Sequence, residues 1–148
     1  MLRRAFLSGL FAATASPAFA GIFSNFGKTG KLEIAVDIAS QTMTVMDGRR
    51  TLFSFDVSTG RKGYSTPTGS WTPIRMHKMW YSSKYENSPM PWSIFFYGGY
   101  AIHGTGDLKN LGRIASHGCV RLDPKNAKKL YDLVQEYGMK NAKVVISA

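Results

Sequence analysis

The sequence has a single cysteine, few acidic residues and no long apolar run. One cysteine among 148 residues excludes an intramolecular disulfide scaffold and a zinc ribbon built from paired CxxC motifs. With 44% apolar and 13% aromatic residues, the chain is too hydrophobic to be disordered. Its length suffices for one domain with a real core and not for two.

The longest apolar run lies near the N-terminus, from Ala5 to Ala15, and falls short of the ~20 residues that span a bilayer. Two arginines precede it, and the small-residue sequence Ala18-Phe19-Ala20 follows it. This three-part pattern is typical of a secretory signal peptide. We therefore expect residues 1–20 to be removed, leaving an exported protein of the bacterial envelope or periplasm without a stable membrane span. Arg3-Arg4 also resembles a twin-arginine signal, so the export route stays open between the general and the twin-arginine pathway.

Acidic residues are scarce, with 9 Asp and Glu against 19 Lys and Arg and a formal net charge of +10. Without residues 1–20, 17 basic residues face 9 acidic ones, a balance of +8. Such a charge ordinarily suggests nucleic acid as a partner, but export argues against it. Anionic polymers or lipid headgroups of the envelope are the alternative partners, and a solvated surface that keeps the protein soluble is the simplest explanation.

The pattern of apolar residues predicts a mainly β domain over residues 31–148, after a leader at residues 21–30. Leu32, Ile34, Val36 and Ile38 alternate with more polar residues, as in a half-buried strand. Further strands are predicted at 41–46, 51–57, 70–78, 94–97, 100–102 and 142–147, the first two joined by an Asp47-Gly48 turn. One clear helix near the C-terminus begins after Asp123, with Pro124 as its first residue, and ends before Gly138.

Residues 79–92 read as a loop crowded with aromatic residues around Pro89 and Pro91. Two interpretations remain open. The loop is either a lid or cleft wall that offers aromatic surface to a ligand, or a segment folded over the core by its own aromatic side chains. In the first case, Met90 and Trp92 are candidate substrate-binding residues.

The candidate chemistry centres on Cys119, in the sequence Ser116-His117-Gly118-Cys119-Val120-Arg121-Leu122, with Ile102-His103-Gly104-Thr105 upstream. A lone thiol in an exported protein is a buried apolar residue, half of an intermolecular disulfide or a nucleophile. A preceding glycine and two nearby histidines favour the nucleophile. Glycine lets backbone N–H groups converge on one point, and a histidine lowers a thiol pKa from roughly 8.5 toward or below neutrality.

The identity of the base is not fixed by spacing. If 117–119 is extended, His117 and Cys119 point to the same face. His103, at the end of a predicted strand, can instead reach the thiol from a neighbouring strand.

These motifs resemble the L,D-transpeptidases of the YkuD type, bacterial enzymes that remodel peptidoglycan. Besides the cysteine and histidine motifs, Ser65-Thr66-Pro67-Thr68-Gly69 and Met90-Pro91 support the resemblance, which covers most of residues 31–148. The resemblance implies a β-sandwich-like catalytic domain. It also implies that Cys119 is the nucleophile, that His103 is the base, and that the Gly104 carbonyl orients His103. His117, Gly118 and the Cys119 backbone would form the oxyanion hole.

The resemblance further implies the substrate. The thiolate would attack the carbonyl of the third residue of a peptidoglycan stem tetrapeptide, usually diaminopimelate, and expel D-alanine. An amine of a second stem peptide or of an envelope protein would then take the acyl group. Arg121 is a candidate for binding a substrate carboxylate or for bracing its own loop. Ser116 is a further candidate contact, with orienting His117 or capping a turn as the alternatives. No cofactor or metal is expected.

Three alternatives remain. His103, His117 and Cys119 could in principle hold zinc, although no acidic residue adjoins the motif. The same site could transfer the acyl group to water, making a carboxypeptidase or amidase. The basic charge and the aromatic segment also suit a murein-binding module without activity, which would have no need of the cysteine and histidines.

Overall fold

The computed structural model describes residues 28–148. The proposed signal peptide at 1–20 and most of the leader at 21–30 therefore lie outside the described residues. In the described part, the strands are β1 (Leu32–Asp37), β2 (Thr42–Asp47), β3 (Arg50–Asp56), β4 (Gly69–Trp71), β5 (Arg75–Ser82), β6 (Ser88–Tyr97), β7 (Tyr100–Gly104), β8 (Val120–Leu122) and β9 (Ala142–Ser147). One α-helix, α1 (Pro124–Tyr137), and two short 3-10 turns at Leu108–Asn110 and Met139–Asn141 complete it.

The strands form two sheets, ordered β3-β2-β1-β9-β4 and β5-β6-β7-β8. Most neighbours are antiparallel, but β9 runs parallel to β1 and β8 runs parallel to β7. Alternation decides which side chains are buried, since Leu32, Ile34 and Val36 of β1 all point inward. The inner faces of both sheets and the apolar side of α1 share one core. The predicted class, a mainly β domain with one helix, is confirmed.

The helix begins and ends where its sequence signals place it. The Asp123 carboxylate accepts the Lys125 backbone N–H at 2.8 Å, and Pro124 occupies the first turn. Gly138 follows the last turn with φ +87°, a conformation that favours glycine. Among residues 28–148, no helix is both long and apolar enough to cross a bilayer.

Two predictions about the middle of the chain are wrong. The strand expected at 70–78 is two strands, β4 and β5, which belong to different sheets. Pro73 lies between them and has no N–H to offer a sheet.

The expected loop at 79–92 is instead most of a hairpin, in which β5 pairs with β6 and only residues 83–87 form the turn. Pro89 and Pro91 are tolerated because β6 pairs with β7 only from Ile94 onward, so the prolines have a single strand neighbour. The three-residue strand β8 was not expected from the pattern, although it carries the end of the cysteine motif.

Candidate active site

The backbone before Cys119 is held by two buried hydroxyl groups. Ser116 Oγ donates to the Cys119 carbonyl oxygen at 2.6 Å and accepts the Gly118 N–H at 3.0 Å. Thr66 Oγ1 donates to the Gly118 carbonyl oxygen at 2.8 Å and accepts the Gly60 N–H at 2.9 Å. The segment at 65–69 that supports the family resemblance thus braces the cysteine loop directly.

Two glycines of the motifs are required by close approach. Gly118 has φ +115°, and a Cβ there would lie 2.7 Å from the ring of Tyr100. At Gly104, a Cβ would lie 2.9 Å from Cα of Pro124, where α1 begins. Because Gly104 has no side chain, the start of the helix packs directly on the end of the strand that carries His103.

Sheet register brings His103 and Cys119 to the same face. His103 pairs with Arg121 and Ile102 with Val120 across the parallel strands β7 and β8, so Cys119 lies diagonally across from His103. Side chains two residues apart share a face, and neighbouring strands are about 4.8 Å apart. Ile102 and Val120 point into the main core, so His103 and Cys119 point to the other side of the sheet, where both line one cavity.

His103 is 7% exposed, and its Nδ1 lies 2.7 Å from the Gly104 carbonyl oxygen. A carbonyl can only accept, so Nδ1 carries the proton and Nε2 keeps its lone pair. Burial, opposed by that hydrogen bond and aided by the nearby Arg121 charge, lowers the pKa of His103 to about 4. The imidazole is therefore neutral at physiological pH and available as a base.

Cys119 is half-buried and carries a thiol whose protonation differs from the expectation. Burial raises the pKa of Cys119, although a hydrogen bond from the Ala101 backbone and the charge of Arg121 oppose the change. The expected lowering of the thiol pKa toward neutrality is wrong because a buried, neutral His103 offers no positive charge to stabilise a thiolate. The resting site holds a neutral thiol beside a neutral imidazole.

His117 has partners of its own. Its Nε2 accepts from the Arg61 guanidinium at 2.9 Å, its ring stacks on Tyr85 at 4.4 Å, and Tyr64 meets it edge-on at 4.8 Å. Partial desolvation, and then the positive charges of Arg61, Arg121 and Lys84, lower the pKa of His117. Its ring thus links the cysteine loop to the turn of the β5–β6 hairpin.

The expectation for Gly118 needs a correction at the level of single atoms. Its backbone N–H already donates to Ser116 Oγ, so it is not available to a developing oxyanion. The buried hydroxyl of Ser116 accepts the hydrogen bond from this N–H group. The backbone N–H groups of His117 and Cys119 are the remaining candidates from this loop.

The cavity has a volume of about 450 Å³ and lies over the face of the second sheet that carries Cys119 and His103. Phe95, Trp80 and Met90 form its apolar wall. Its charged lining residues within 28–148 are three cations and one carboxylate, namely Arg75, Lys84, Arg121 and Asp107. The site thus combines a thiol, a neutral base and an excess of positive charge.

The predicted substrate-binding residues divide into two pairs. Arg121 and Met90 line the cavity. Ser116 is fully buried, and its hydroxyl group is hydrogen-bonded to the backbone of the loop. Trp92 lies away from the cavity, where its ring packs edge-on against Tyr131 of α1 at 5.4 Å. Ser116 and Trp92 therefore do not line the cavity, and their contacts are with the cysteine loop and with α1.

Sequence reasoning assigned no role to Arg75, which lies in the strand predicted at 70–78 and lines the cavity. Tyr85 also lines the cavity, and it belongs to the segment 79–92 for which a cleft wall was one of the two interpretations. The alternation of half-buried Trp80 with exposed Tyr81 could have indicated that β5 continues into this segment. Among the described residues, no three side chains of His, Cys, Asp or Glu are grouped so that they could hold a metal ion.

The domain thus has two sheets around one core, with a histidine on β7 and a cysteine directly before the parallel strand β8. The family model of the YkuD L,D-transpeptidase catalytic domain matches residues 31–146. The chain belongs to this family.

Relatives agree with this assignment. The putative L,D-transpeptidases YkuD and YciB of Bacillus subtilis are 27% and 30% identical to the chain over 105 and 129 residues. These matches cover 68% and 77% of the chain, which spans 59% and 64% of the length of the two relatives.

Solved structures share the fold. An L,D-transpeptidase from Stackebrandtia nassauensis is 29% identical, with a TM-score of 0.72 over 80% of this chain and 56% of that one. An L,D-transpeptidase from Mycobacterium smegmatis is 23% identical, with a TM-score of 0.71 over 80% of this chain and 59% of that one.

Proposed function

We propose that the protein is a peptidoglycan L,D-transpeptidase that works through an acyl-enzyme on Cys119. The donor is a stem tetrapeptide, and the bond broken joins the third residue, diaminopimelate, to the terminal D-alanine. The acceptor is an amine of another stem peptide or of an envelope protein. The carrying observation is that Cys119 and His103 line one cavity, with His103 Nδ1 fixed by Gly104 and Nε2 left basic.

In the first step, Cys119 Sγ attacks the donor carbonyl as His103 Nε2 takes the thiol proton. Proton removal accompanies attack because the pKa of the thiol is raised and that of the imidazole is lowered. The imidazolium formed is held by the Gly104 carbonyl at Nδ1. The Cys119 and His117 backbone N–H groups are the candidate donors to the oxyanion.

In the second step, the tetrahedral intermediate collapses to a thioester. The C–N bond to D-alanine breaks, and the imidazolium gives its proton to the departing amine. Arg121 is suited to bind the carboxylate of this D-alanine, because its backbone pairs in register with His103 and it lines the same cavity.

In the last step, an acceptor amine attacks the thioester while His103 takes a proton from it. A new amide bond forms, the C–S bond to Cys119 breaks, and the His103 imidazolium returns its proton to the sulfur. A thioester is reactive enough for this aminolysis, so one difficult amide exchange becomes two easier acyl transfers.

The proposed place of action is the bacterial cell envelope, where peptidoglycan lies. Family membership and the signal-like pattern of residues 1–20 support it. The positive net charge suits an anionic wall.

The test is incubation of the protein, without residues 1–20, with a disaccharide-tetrapeptide, followed by mass spectrometry. We expect a cross-linked dimer and free D-alanine, and neither product from the Cys119→Ala variant. Envelope proteins with exposed lysines are tested as acceptors in parallel reactions.

Other outcomes would point to the alternatives. Release of D-alanine without a dimer or a protein adduct would indicate transfer to water. If no product forms and Cys119→Ala binds the wall as well as the unmodified protein, the enzyme proposal fails and a binding module takes its place.

A further inference from the structure

Arg75, at the start of β5, holds a guanidinium group against the aromatic wall of the Cys119 cavity. Its Cζ lies 3.6 Å from the ring centre of Phe95, its cross-strand partner, and 4.6 Å from that of Trp80. One guanidinium nitrogen lies 3.3 Å from His77 Nε2. Aromatic faces and the strand pairing therefore fix the orientation of this cation.

No anion neutralises Arg75 within the described residues. The ion pairs of residues 28–148 are Lys28 with Glu136 and Lys128 with Asp132, both outside the cavity. The one carboxylate in the cavity lining, Asp107, accepts from Asn110 Nδ2 at 2.6 Å. A half-buried guanidinium group without an anion is a ready site for a carboxylate, which it can bind through two parallel hydrogen bonds.

Arg75 and Arg121 lie at opposite edges of the second sheet. The strand order β5-β6-β7-β8 puts Arg75 on one edge strand and Arg121 on the other, roughly 16 Å apart at the backbone for three strand spacings and a shift of two residues along the strand. Both side chains reach the cavity that Cys119 and His103 also line. A donor bound across this face therefore has a cation on each side of the attacked carbonyl.

We propose that Arg75 binds the side-chain carboxylate of the residue whose carbonyl Cys119 attacks, so that the enzyme selects donors with this carboxylate free. This inference rests on the proposed function. The leaving D-alanine lies beside its proton donor, His103, and hence beside Arg121, which takes the terminal carboxylate. The acyl half of the donor extends the other way, toward Arg75, and keeps its carboxylate bound after D-alanine has left.

The test compares two disaccharide-tetrapeptides that differ only in the diaminopimelate side-chain carboxyl group, which is free in one and amidated in the other. The rate of D-alanine release gives kcat/KM for the unmodified protein and for Arg75→Gln, Arg75→Lys and Lys78→Gln. Lys78 is a matched control, because it is an exposed cation on the same strand and outside the cavity.

We expect the unmodified protein and Lys78→Gln to prefer the free carboxylate about 10- to 100-fold, the range of a charged hydrogen bond. Arg75→Gln should lower kcat/KM for the free donor by this factor and leave the amidated donor within about threefold, and Arg75→Lys should recover part of the loss. Alkylation of Cys119 by iodoacetamide should keep its rate in every variant, since this probe carries no carboxylate.

Two results would overturn the proposal. One is an unmodified protein that uses both donors equally, a comparison that needs no variant to fold. The other is an Arg75→Gln variant that loses both donors by the same factor, which would mean that Arg75 only supports the wall of the cavity.

Failure of the proposed function gives a different result, in which neither donor releases D-alanine. The equilibrium binding of the two donors to Cys119→Ala then still tests Arg75. Tighter binding of the free donor that disappears with Arg75→Gln would support the carboxylate site, and equal binding would reject it.

Discussion

The hydroxyl group of Ser116 lies 2.6 Å from the carbonyl oxygen of Cys119 and 3.0 Å from the backbone nitrogen of Gly118. One buried side chain thus closes the loop that presents the thiol. It also occupies the backbone N–H that the motif suggested for oxyanion binding. The hydrogen bonds of this serine therefore set the backbone conformation around Cys119.

Removing this hydroxyl should impair both folding and reactivity. Ser116→Ala leaves the Gly118 N–H and the Cys119 carbonyl without a partner in a buried place, at a cost of about 1–3 kcal/mol in the free energy of unfolding. The rate at which Cys119 is acylated should fall at least tenfold, since the loop is no longer fixed. Denaturant unfolding and D-alanine release measure the two effects, with Ser54→Ala on the exposed side of β3 as a control. An unchanged free energy of unfolding and an unchanged acylation rate would show that the loop keeps its conformation without the Ser116 hydroxyl.

The pH dependence of acylation should reflect the lowered pKa of the buried His103. Attack needs neutral His103, whose pKa is about 4, so the rate should fall only as the pH drops through about 4 and not near 6.5. Because the pKa of the Cys119 thiol is raised, the rate between pH 5 and 7 should not depend on a thiolate fraction. Single-turnover acylation from about pH 3 to about pH 8 measures both the fall and the flat region. A fall in the rate centred near pH 6.5 would contradict a lowered pKa of His103.

Carbapenems should label Cys119 covalently. The thiol adds to the strained β-lactam carbonyl, the ring C–N bond opens, and His103 passes the proton to the nitrogen. The intact mass of the protein should therefore rise by the whole mass of the carbapenem, and Cys119→Ala should show no shift. His103→Gln should slow the reaction by at least 100-fold, a typical share for a general base. An unchanged mass for the unmodified protein would count against the nucleophile.

Stability should depend on a carboxylate far from the site. Buried Asp47 accepts from the Thr29 backbone N–H at 2.7 Å and from the Tyr137 hydroxyl at 2.5 Å, joining β2 to the end of α1. The hydrogen bonds from Thr29, and then from Tyr137, lower the pKa of Asp47. A lowered pKa means that this contribution is present above the unfolded pKa of about 3.9 and is lost as the pH falls through the folded value.

The matching experiment compares melting temperatures of the unmodified protein and Asp47→Asn between pH 2 and 7. The unmodified protein should melt higher at pH 7, and the difference should shrink below pH 4. Asp56→Asn, on the exposed face of β3, is the matched control for removing a carboxylate. A difference that persists unchanged at pH 2 would mean that packing, and not charge, is what Asp47 supplies.

Local signals in the sequence predicted much of the fold and the candidate reactive residues. Alternation at Leu32, Ile34 and Val36, the Asp47-Gly48 turn, and the caps at Asp123 and Gly138 act over a few residues, so reading them requires no distant contacts. The motifs around Cys119 and His103 could likewise be recognised from short stretches of sequence. The hairpin of β5 and β6 was not, because Pro89 and Pro91 read as loop residues unless the number of strand neighbours is known.

Tertiary structure alone decided the state and surroundings of the site. The position of His103 next to the cysteine loop rests on a parallel register between β7 and β8, which pairs residues 18 positions apart. Burial in the wall of the cavity makes the imidazole and the thiol neutral, whereas the motifs suggested a stabilised thiolate. Three further features depend on chain segments that meet only in the folded domain. They are the hydrogen bonds of Ser116, the packing of Trp92 against the helix and the position of Arg75 in the cavity wall.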